Sequence, residues 1–326
     1  MALPRVHLIT TGGTIAGKRQ PSGAVTPALT AQDLLGRIPA SSSAARLSEE
    51  AFLEIPSTAM RFRDMLALAE RAKSALNVAG ASGVVVTHGT ATLEQTAYFL
   101  DTVMQEDGPV VVTGAMRNPT LPSDDGPLNL LNAIQVASCP RSRGLGVLVV
   151  MNSFIHAARD VTKGHSASTA AFQSSEFGPL GVVDEDYVFY ARRPYRRLPA
   201  VTPREITAQV ERIPFAADSS NLLLRAAVEA HVDGLVVESA RLNPEQVELL
   251  TAAIRRGTVV VVANPYHAGR LHRDTYRHEG GEAHLLGLGM VFAGTSGLKA
   301  RIKLTVLLSA GLDRDRIRDL FHAEWQ

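Results

Sequence analysis

Four short stretches of this chain place hydroxyl or amine groups in turns that follow apolar runs. "TTGGTIAG" (Thr10 to Gly17) sets Thr14 just past a Gly-Gly pair, where backbone N–H groups can approach a ligand closely. "EIPSTAM" (Glu54 to Met60) offers Ser57 and Thr58 ahead of a long helical pattern. Such hydroxyls either cap the helix or join its N–H groups in holding a carboxylate. "GVVVTHGTATLEQTAYFLD" (Gly83 to Asp101) delivers Thr90 and Ala91 at the end of a β-branched run. "MNSFIHAARDVTKGHS" (Met151 to Ser166) brings Lys163 in a loop after another buried strand.

One hydroxyl able to attack, a second hydroxyl and a lysine whose pKa is lowered by burial can together carry out covalent chemistry on a carbonyl. Each residue also has a plainer reading, since threonines in turns mostly cap or bond the backbone. Ala91 is the odd member, a methyl group in a place well suited to a charge.

Other chemistries fit poorly. The Gly-Gly loop has neither the G-x-G-x-x-G pattern nor the G-K-[ST] ending of nucleotide loops. The next stretch, "KRQPSGAVTPALT", is rich in Gly, Pro and Ser and reads as a mobile flap over a site. His156 and His165 lie near Lys163, but their spacing matches no metal motif. We expect no metal and no cofactor.

Strands and helices alternate around these stretches, which predicts an α/β protein with a largely parallel sheet. "VHLIT", "GVVVT", "PVVVTGAM" and "LGVLVVMN" are strands, and "GVVDEDYVFYARRP" reads as a hairpin. A helix over 60–77 buries Met65, Leu68 and Ala72. Another, capped by Thr92, buries Leu93, Ala97 and Leu100. "GPLNLLNAIQVAS" is a helix with Pro127 near its start. "ARRPYRRLPAVTPRE" (Ala191 to Glu205) reads as a linker. The domains are therefore expected at 1–190 and 210–326, with 191–209 between them. Near the end, "SGLKARIKLTVLLSAG" reads as an amphipathic helix.

The chain has 326 residues, 45% hydrophobic and 20% charged, enough for two domains with sizeable cores. A net charge of +1 argues against a nucleic-acid partner. Lys18, Lys73, Lys163, Lys299 and Lys303 are all the lysines, so each merits attention. Cys139 is the single cysteine, which excludes an intrachain disulfide. No apolar run approaches the roughly 20 residues of a membrane span, and no secretory leader is evident. A cytoplasmic protein without a membrane partner is the expectation.

Taken together, "TTGGTIAG", "VVVTHGTATLEQTAYFLD", "VVVTGAMRNPTLPSDDGPLNLLNA" and "VLVVMN…ARDVTK…FGPLG" resemble the bacterial-type L-asparaginase family, homotetrameric hydrolases with a threonine nucleophile. The resemblance implies a flavodoxin-like N-terminal domain and a smaller α/β C-terminal domain. It further implies a dimer of dimers, with each site completed by a neighbouring subunit, and a small-molecule amide substrate.

Residue by residue, Thr14 matches the nucleophile, and Thr90 and Lys163 match the second catalytic cluster. Ser57 matches the serine that binds the substrate carboxylate. Backbone N–H groups near Thr14 and Ala91 would form an oxyanion hole. Gly89 and Ala115 fall among the substrate-binding positions, and Glu282 matches loosely an acidic residue supplied by the partner subunit.

The departures cluster at one subsite. Ala91 stands where the family has an Asp that binds the substrate's α-ammonium and contacts the Lys. Thr58 stands where a Gln is usual. The flap lacks the family's Tyr, and "ESARLNPEQ" lacks its Asn-rich loop. The resemblance therefore implies an amidohydrolase that releases ammonia through a Thr acyl-enzyme, from an asparagine-related carboxamide lacking a free α-ammonium. A binding or regulatory protein on a degenerate scaffold is the alternative. Lys163, without a carboxylate at position 91, is expected to lose its proton more easily than its family counterpart.

Overall fold

The computed structural model describes residues 3–20, 22–38, 45–194, 197–239, 241–266 and 268–325. Pro21 of the flap, Tyr195 and Arg196 of the linker, and Ala240 of the C-terminal loop lie outside them. The chain divides into two compact units, Met1–Ala200 and Val201–Gln326.

The first unit opens with strand β1 (Arg5–Gly12) and a single 3-10 turn over Thr14–Ala16. Two short strands, β2 (Gly17–Arg19) and β3 (Val25–Pro27), then pair antiparallel. The stretch expected as a flap is thus a β-ribbon. Helix α1 (Ala31–Leu35) and the long strand β4 (Arg46–Ile55) come after it. Next come α2 (Phe62–Asn77), β5 (Gly83–Thr87), α3 (Leu93–Val103), β6 (Val110–Thr113), α4 (Gly126–Ser138) and β7 (Val147–Met151).

In the sheet, β7-β6-β5-β1-β4 lie side by side and all pair parallel. Strands covered on both faces bury every side chain, which is why the valine runs at 84–86 and 110–112 are fully apolar. The expected helix faces pack inward: Met65, Leu68 and Ala72 on α2, and Leu93, Ala97 and Leu100 on α3, are all buried.

Beyond β7 the chain reverses. Asn152 and Ser153 both take left-handed backbone angles (φ 51° and 65°), a two-residue turn of the kind that suits the strand twist. Strand β8 (Phe154–Ala157) therefore runs antiparallel to β7. The segment expected as a loop carrying Lys163 is also ordered, as β9 (Thr162–Lys163) paired with β10 (Phe172–Gln173). The hairpin of β11 (Gly181–Asp184) and β12 (Tyr187–Tyr190) extends the sheet past β8. Residues 191–209 contain no helix or strand among their described positions.

The second unit has four parallel strands in sequential order: β13 (Val210–Pro214), β14 (Gly234–Glu238), β15 (Val259–Asn264) and β16 (Val291–Ser296). Helices α5 (Leu222–Glu229), α6 (Pro244–Arg255) and α7 (Glu282–Gly287) connect them. Helices α8 (Gly297–Ser309) and α9 (Arg314–His322) close the chain.

Helix α8 corrects one expectation, because it is not amphipathic. It packs on the sheet and on α9, and Lys299, Ala300, Ile302, Lys303, Leu304, Thr305, Val306 and Leu307 are all buried. Its polar residues are hidden rather than solvated. Lys303 donates from Nζ to Glu324 Oε1 at 2.6 Å and to the Leu320 carbonyl at 2.8 Å.

Candidate active site

The strand order reverses at β1. From β1 the chain moves to β4 on one side, then returns to β5 on the other. Ligands of open α/β sheets bind at such a switch point, beyond the carboxyl ends of the strands. Thr14 lies just past β1, and Thr90 just past β5, at this position.

Two glycines bring the loops together. Gly13 has φ of +81°, and a Cβ built on it would lie 2.3 Å from both the Cα and the N of Gly89. A Cβ on Gly89 would lie 2.8 Å from Ser57 Cβ and Oγ. Gly13 therefore packs backbone on backbone against Gly89, Gly89 packs on the Ser57 side chain, and three separate loops close around one cleft of about 320 Å³. Thr14, Ser57, Thr58, Gly89, Thr90 and Ala91 all line it. Thr26 of the β2–β3 ribbon and Asn118 line it as well, two residues that lie within the quoted stretches but that the sequence alone does not single out.

Ser57 is buried and Thr14 half-buried, and neither hydroxyl is hydrogen-bonded to another described group. Ser57 and Thr58 do not cap α2. They form their own 3-10 turn, and Asp64 closes the helix start by accepting the Arg61 N–H at 2.9 Å. Thr92 does not cap α3 with its side chain either. Its hydroxyl donates instead to the Ser57 carbonyl at 2.7 Å, tying the Ser57 turn to the start of α3.

Lys163 Nζ donates to Thr90 Oγ1 at 2.9 Å. The β9–β10 ribbon holds the lysine, with buried Phe172 opposite it in register. Burial lowers the pKa of Lys163, and the negative charge of Glu94 opposes that shift. The same Glu94 accepts the Lys163 backbone N–H through Oε2 at 2.6 Å. Position 91 supplies no carboxylate to Lys163, and the first turn of α3 supplies Glu94 nearby; burial still outweighs it and the pKa lies below the usual lysine value. Glu94 lies four residues beyond Thr90 in the first turn of α3, where an acidic residue is ordinary, so the sequence alone does not mark it.

His88 lies behind the cleft, completely buried. Its Nδ1 is 2.8 Å from the Gly89 carbonyl and its Nε2 is 2.9 Å from Thr96 Oγ1. A carbonyl only accepts, so Nδ1 carries the proton and Nε2 accepts from the threonine hydroxyl. Desolvation pushes the pKa down to about 4, so the ring is neutral and holds the Gly89 carbonyl by a fixed bond.

Ala115 and Glu282 do not line this cleft within one chain, and Glu282 is the residue expected from a partner subunit. The Ala115 side chain is fully buried in the hydrophobic core and does not line the cleft. Glu282 belongs to the second unit, where it begins α7. It is 3% exposed and borders a separate cavity lined also by Arg241, Asn243 and Asn264. Its Oε2 has no hydrogen-bond partner among the described residues. His156 is buried with Nδ1 2.9 Å from Ser174 Oγ. No described helix is long and apolar enough to cross a membrane.

Comparison with known proteins gives the family. Residues 5–196 match the family model described as "Asparaginase, N-terminal", and residues 209–321 match the "Glutaminase/Asparaginase C-terminal domain". The chain is 33% identical over 335 residues to L-asparaginase 2 of Escherichia coli (strain K12), covering 99% of this chain and 94% of that one. It is 37% identical over 328 residues to a probable L-asparaginase of Deinococcus radiodurans, covering 98% of each. It is 34% identical over 334 residues to a probable periplasmic L-asparaginase of Haemophilus influenzae, covering 98% of this chain and 93% of that one. With both halves matched in order over nearly the whole length, the chain belongs to the asparaginase family of amidohydrolases.

Proposed function

We propose that this enzyme releases ammonia from the side-chain carboxamide of an asparagine-related substrate that lacks a free α-ammonium. The observation that carries the reading is the composition of one cleft. Thr14 and Ser57 present free hydroxyls there, Thr90 is bonded to Lys163, and the same cleft is bordered by Ala91 and Thr58. A free ammonium bound beside that methyl group would lack the carboxylate that the family places at position 91, at a cost of several kcal/mol.

In this reading Ser57 holds the carboxylate and Thr14 Oγ attacks the carboxamide carbon. The C–N bond then breaks, the nitrogen leaves as ammonia carrying the hydroxyl proton, and an ester to Thr14 remains. Water hydrolyses the ester and regenerates the hydroxyl. Neutral Lys163, acting through Thr90 or on that water, takes up a proton and returns it. Backbone N–H groups near Thr14 and Ala91 stabilise the oxyanion, a role independent of side-chain identity. We assign catalysis to residues 1–190 and any contact of Ala115 with substrate to its backbone. We further assign the working form to a dimer of dimers in which a partner subunit supplies Glu282. Light scattering should give a tetrameric mass, and a monomer would contradict both the assembly and the Glu282 assignment.

The test is ammonia release from succinamate, N-acetyl-L-asparagine and L-asparagine by wild type and Thr14→Ala. Wild type should turn over at least one amide, and the variant should keep less than about 1% of that rate, since losing a nucleophile removes several kcal/mol of barrier lowering. More than a few per cent of activity in Thr14→Ala contradicts the nucleophile. No turnover by wild type favours a binding protein, the reading that Ala91 and the Tyr-free flap support.

A further inference from the structure

We propose that Asn118 reads the α-substituent of the substrate, and that this substituent is an acyl amide whose carbonyl oxygen accepts a hydrogen bond from the Asn118 side chain. The substrate class is then an N-acylated amino acid with a side-chain carboxamide. The inference rests on the proposed function above and narrows it from any substrate without an ammonium to one with an acceptor in its place.

The loop after β6 is fastened before it reaches Asn118. The Asp125 carboxylate accepts the backbone N–H groups of Met116 at 3.1 Å and Arg117 at 2.8 Å. Asp125 Oδ2 also accepts from Asn129 Nδ2 at 3.0 Å, and the same Nδ2 is 3.0 Å from the Gly114 carbonyl. The orientation of the Asn118 amide is likewise decided. Its Oδ1 accepts from Thr120 N at 2.9 Å and from Thr120 Oγ1 at 2.6 Å. A backbone N–H only donates, so the atom facing it is oxygen. A carbonyl oxygen has two lone pairs, and both are taken. The amide NH2 remains, with two donors, no acceptor and no hydrogen-bond partner among the described residues.

Asn118 lines the same cleft as Ala91 and Thr58, the two departures from the family's ammonium subsite. Among the described residues of one chain, none lining that cleft carries a carboxylate. An α-ammonium is itself purely a donor and would meet a donor. A bare hydrogen, as in succinamate, would leave the NH2 without a ligand partner. An acyl carbonyl satisfies it. The cleft volume of about 320 Å³ lies at the small end for ligand pockets, which suits a short acyl chain.

The experiment measures kcat/KM for N-acetyl-L-asparagine, succinamate and L-asparagine in wild type, Asn118→Asp and Asn118→Ala. Asp keeps an oxygen for both Thr120 bonds and replaces the donor with an acceptor. Ala removes both, and serves as a second variant if the Asp protein folds poorly. Wild type should favour N-acetyl-L-asparagine over succinamate. That ratio should fall about tenfold or more in both variants, the scale of one lost hydrogen bond aggravated by a mismatched group. Asn118→Asp alone should also raise L-asparagine relative to succinamate. An unchanged ratio in the variants, with wild type still preferring both α-neutral amides to L-asparagine, overturns the role of Asn118 and leaves the proposed function standing. A wild-type preference for L-asparagine overturns the proposed function itself.

Discussion

Lys163 reaches Thr90 Oγ1 at 2.9 Å while its own backbone N–H is held at 2.6 Å by Glu94, four residues beyond that threonine. One helix start thus carries both the hydroxyl's loop and the carboxylate that anchors the lysine. The methyl group at position 91 does not leave Lys163 electrostatically alone.

This relationship sets the pH dependence. Neutral Lys163 is the working base in our account, so kcat/KM rises with pH through its pKa. Burial lowers that pKa and Glu94 raises it. Glu94→Gln retains an oxygen for the Lys163 N–H but removes the charge, so the rising limb should move to lower pH. Ala91→Asp adds a charge beside Thr90, so the limb should move to higher pH. Shifts of about one unit in opposite directions are expected. Coincident limbs in all three proteins would show that Lys163 is not the titrating group.

Gly13 is expected to be intolerant of any side chain. Gly13→Ala combines a left-handed backbone with a Cβ 2.3 Å from Gly89. The variant should lose at least about 2 kcal/mol in urea unfolding and most of its activity, because Thr14 is the next residue. Gly89→Ala meets Ser57 Cβ and Oγ at 2.8 Å, so it should raise KM more than it lowers stability. Near-native behaviour of both variants would mean the two loops are not held by this contact.

These two glycines show how much of the site is legible in the sequence. The Gly-Gly loop, the Ser57 turn and the Thr90 turn stand out because each comes after a clear apolar strand. Parallel strands leave little choice about where such turns gather. The valine runs likewise announce a sheet buried on both faces. The hidden features depend on contacts between distant residues. Glu94 looks like an ordinary first-turn acid until β9 places Lys163 against it. Asn118 looks like a turn residue until its oxygen is seen to be consumed by Thr120. The Asn152-Ser153 turn lacks the glycine that usually marks a two-residue hairpin, so the sequence suggests a loop where the chain reverses after β7. Helix α8 misleads because lysine normally signals solvent, and here Lys303 is buried against Glu324.

That buried pair makes its own prediction. Lys303 and Glu324 side chains are 5% and 1% exposed, and Glu324 Oε2 also accepts the Gly294 N–H at 2.6 Å. Lys303→Met removes the cation that hydrogen-bonds a buried carboxylate and should destabilise the second unit by about 3–5 kcal/mol. Adding Glu324→Gln should recover part of the loss. Chemical unfolding of the two variants checks this. A double variant no more stable than the single one would mean that charge pairing is not what holds α8 to the C-terminal turn.

The most direct test of the account is the substrate preference of the wild-type enzyme. The central claim is that a methyl group at position 91 and a threonine at position 58 have turned the cleft away from a free α-ammonium. Steady-state ammonia release should give kcat/KM for succinamate or N-acetyl-L-asparagine at least about tenfold above that for L-asparagine, roughly 1.4 kcal/mol of discrimination. Ala91→Asp combined with Thr58→Gln should move the preference back toward L-asparagine. Wild-type enzyme that prefers L-asparagine to both α-neutral amides would contradict the claim.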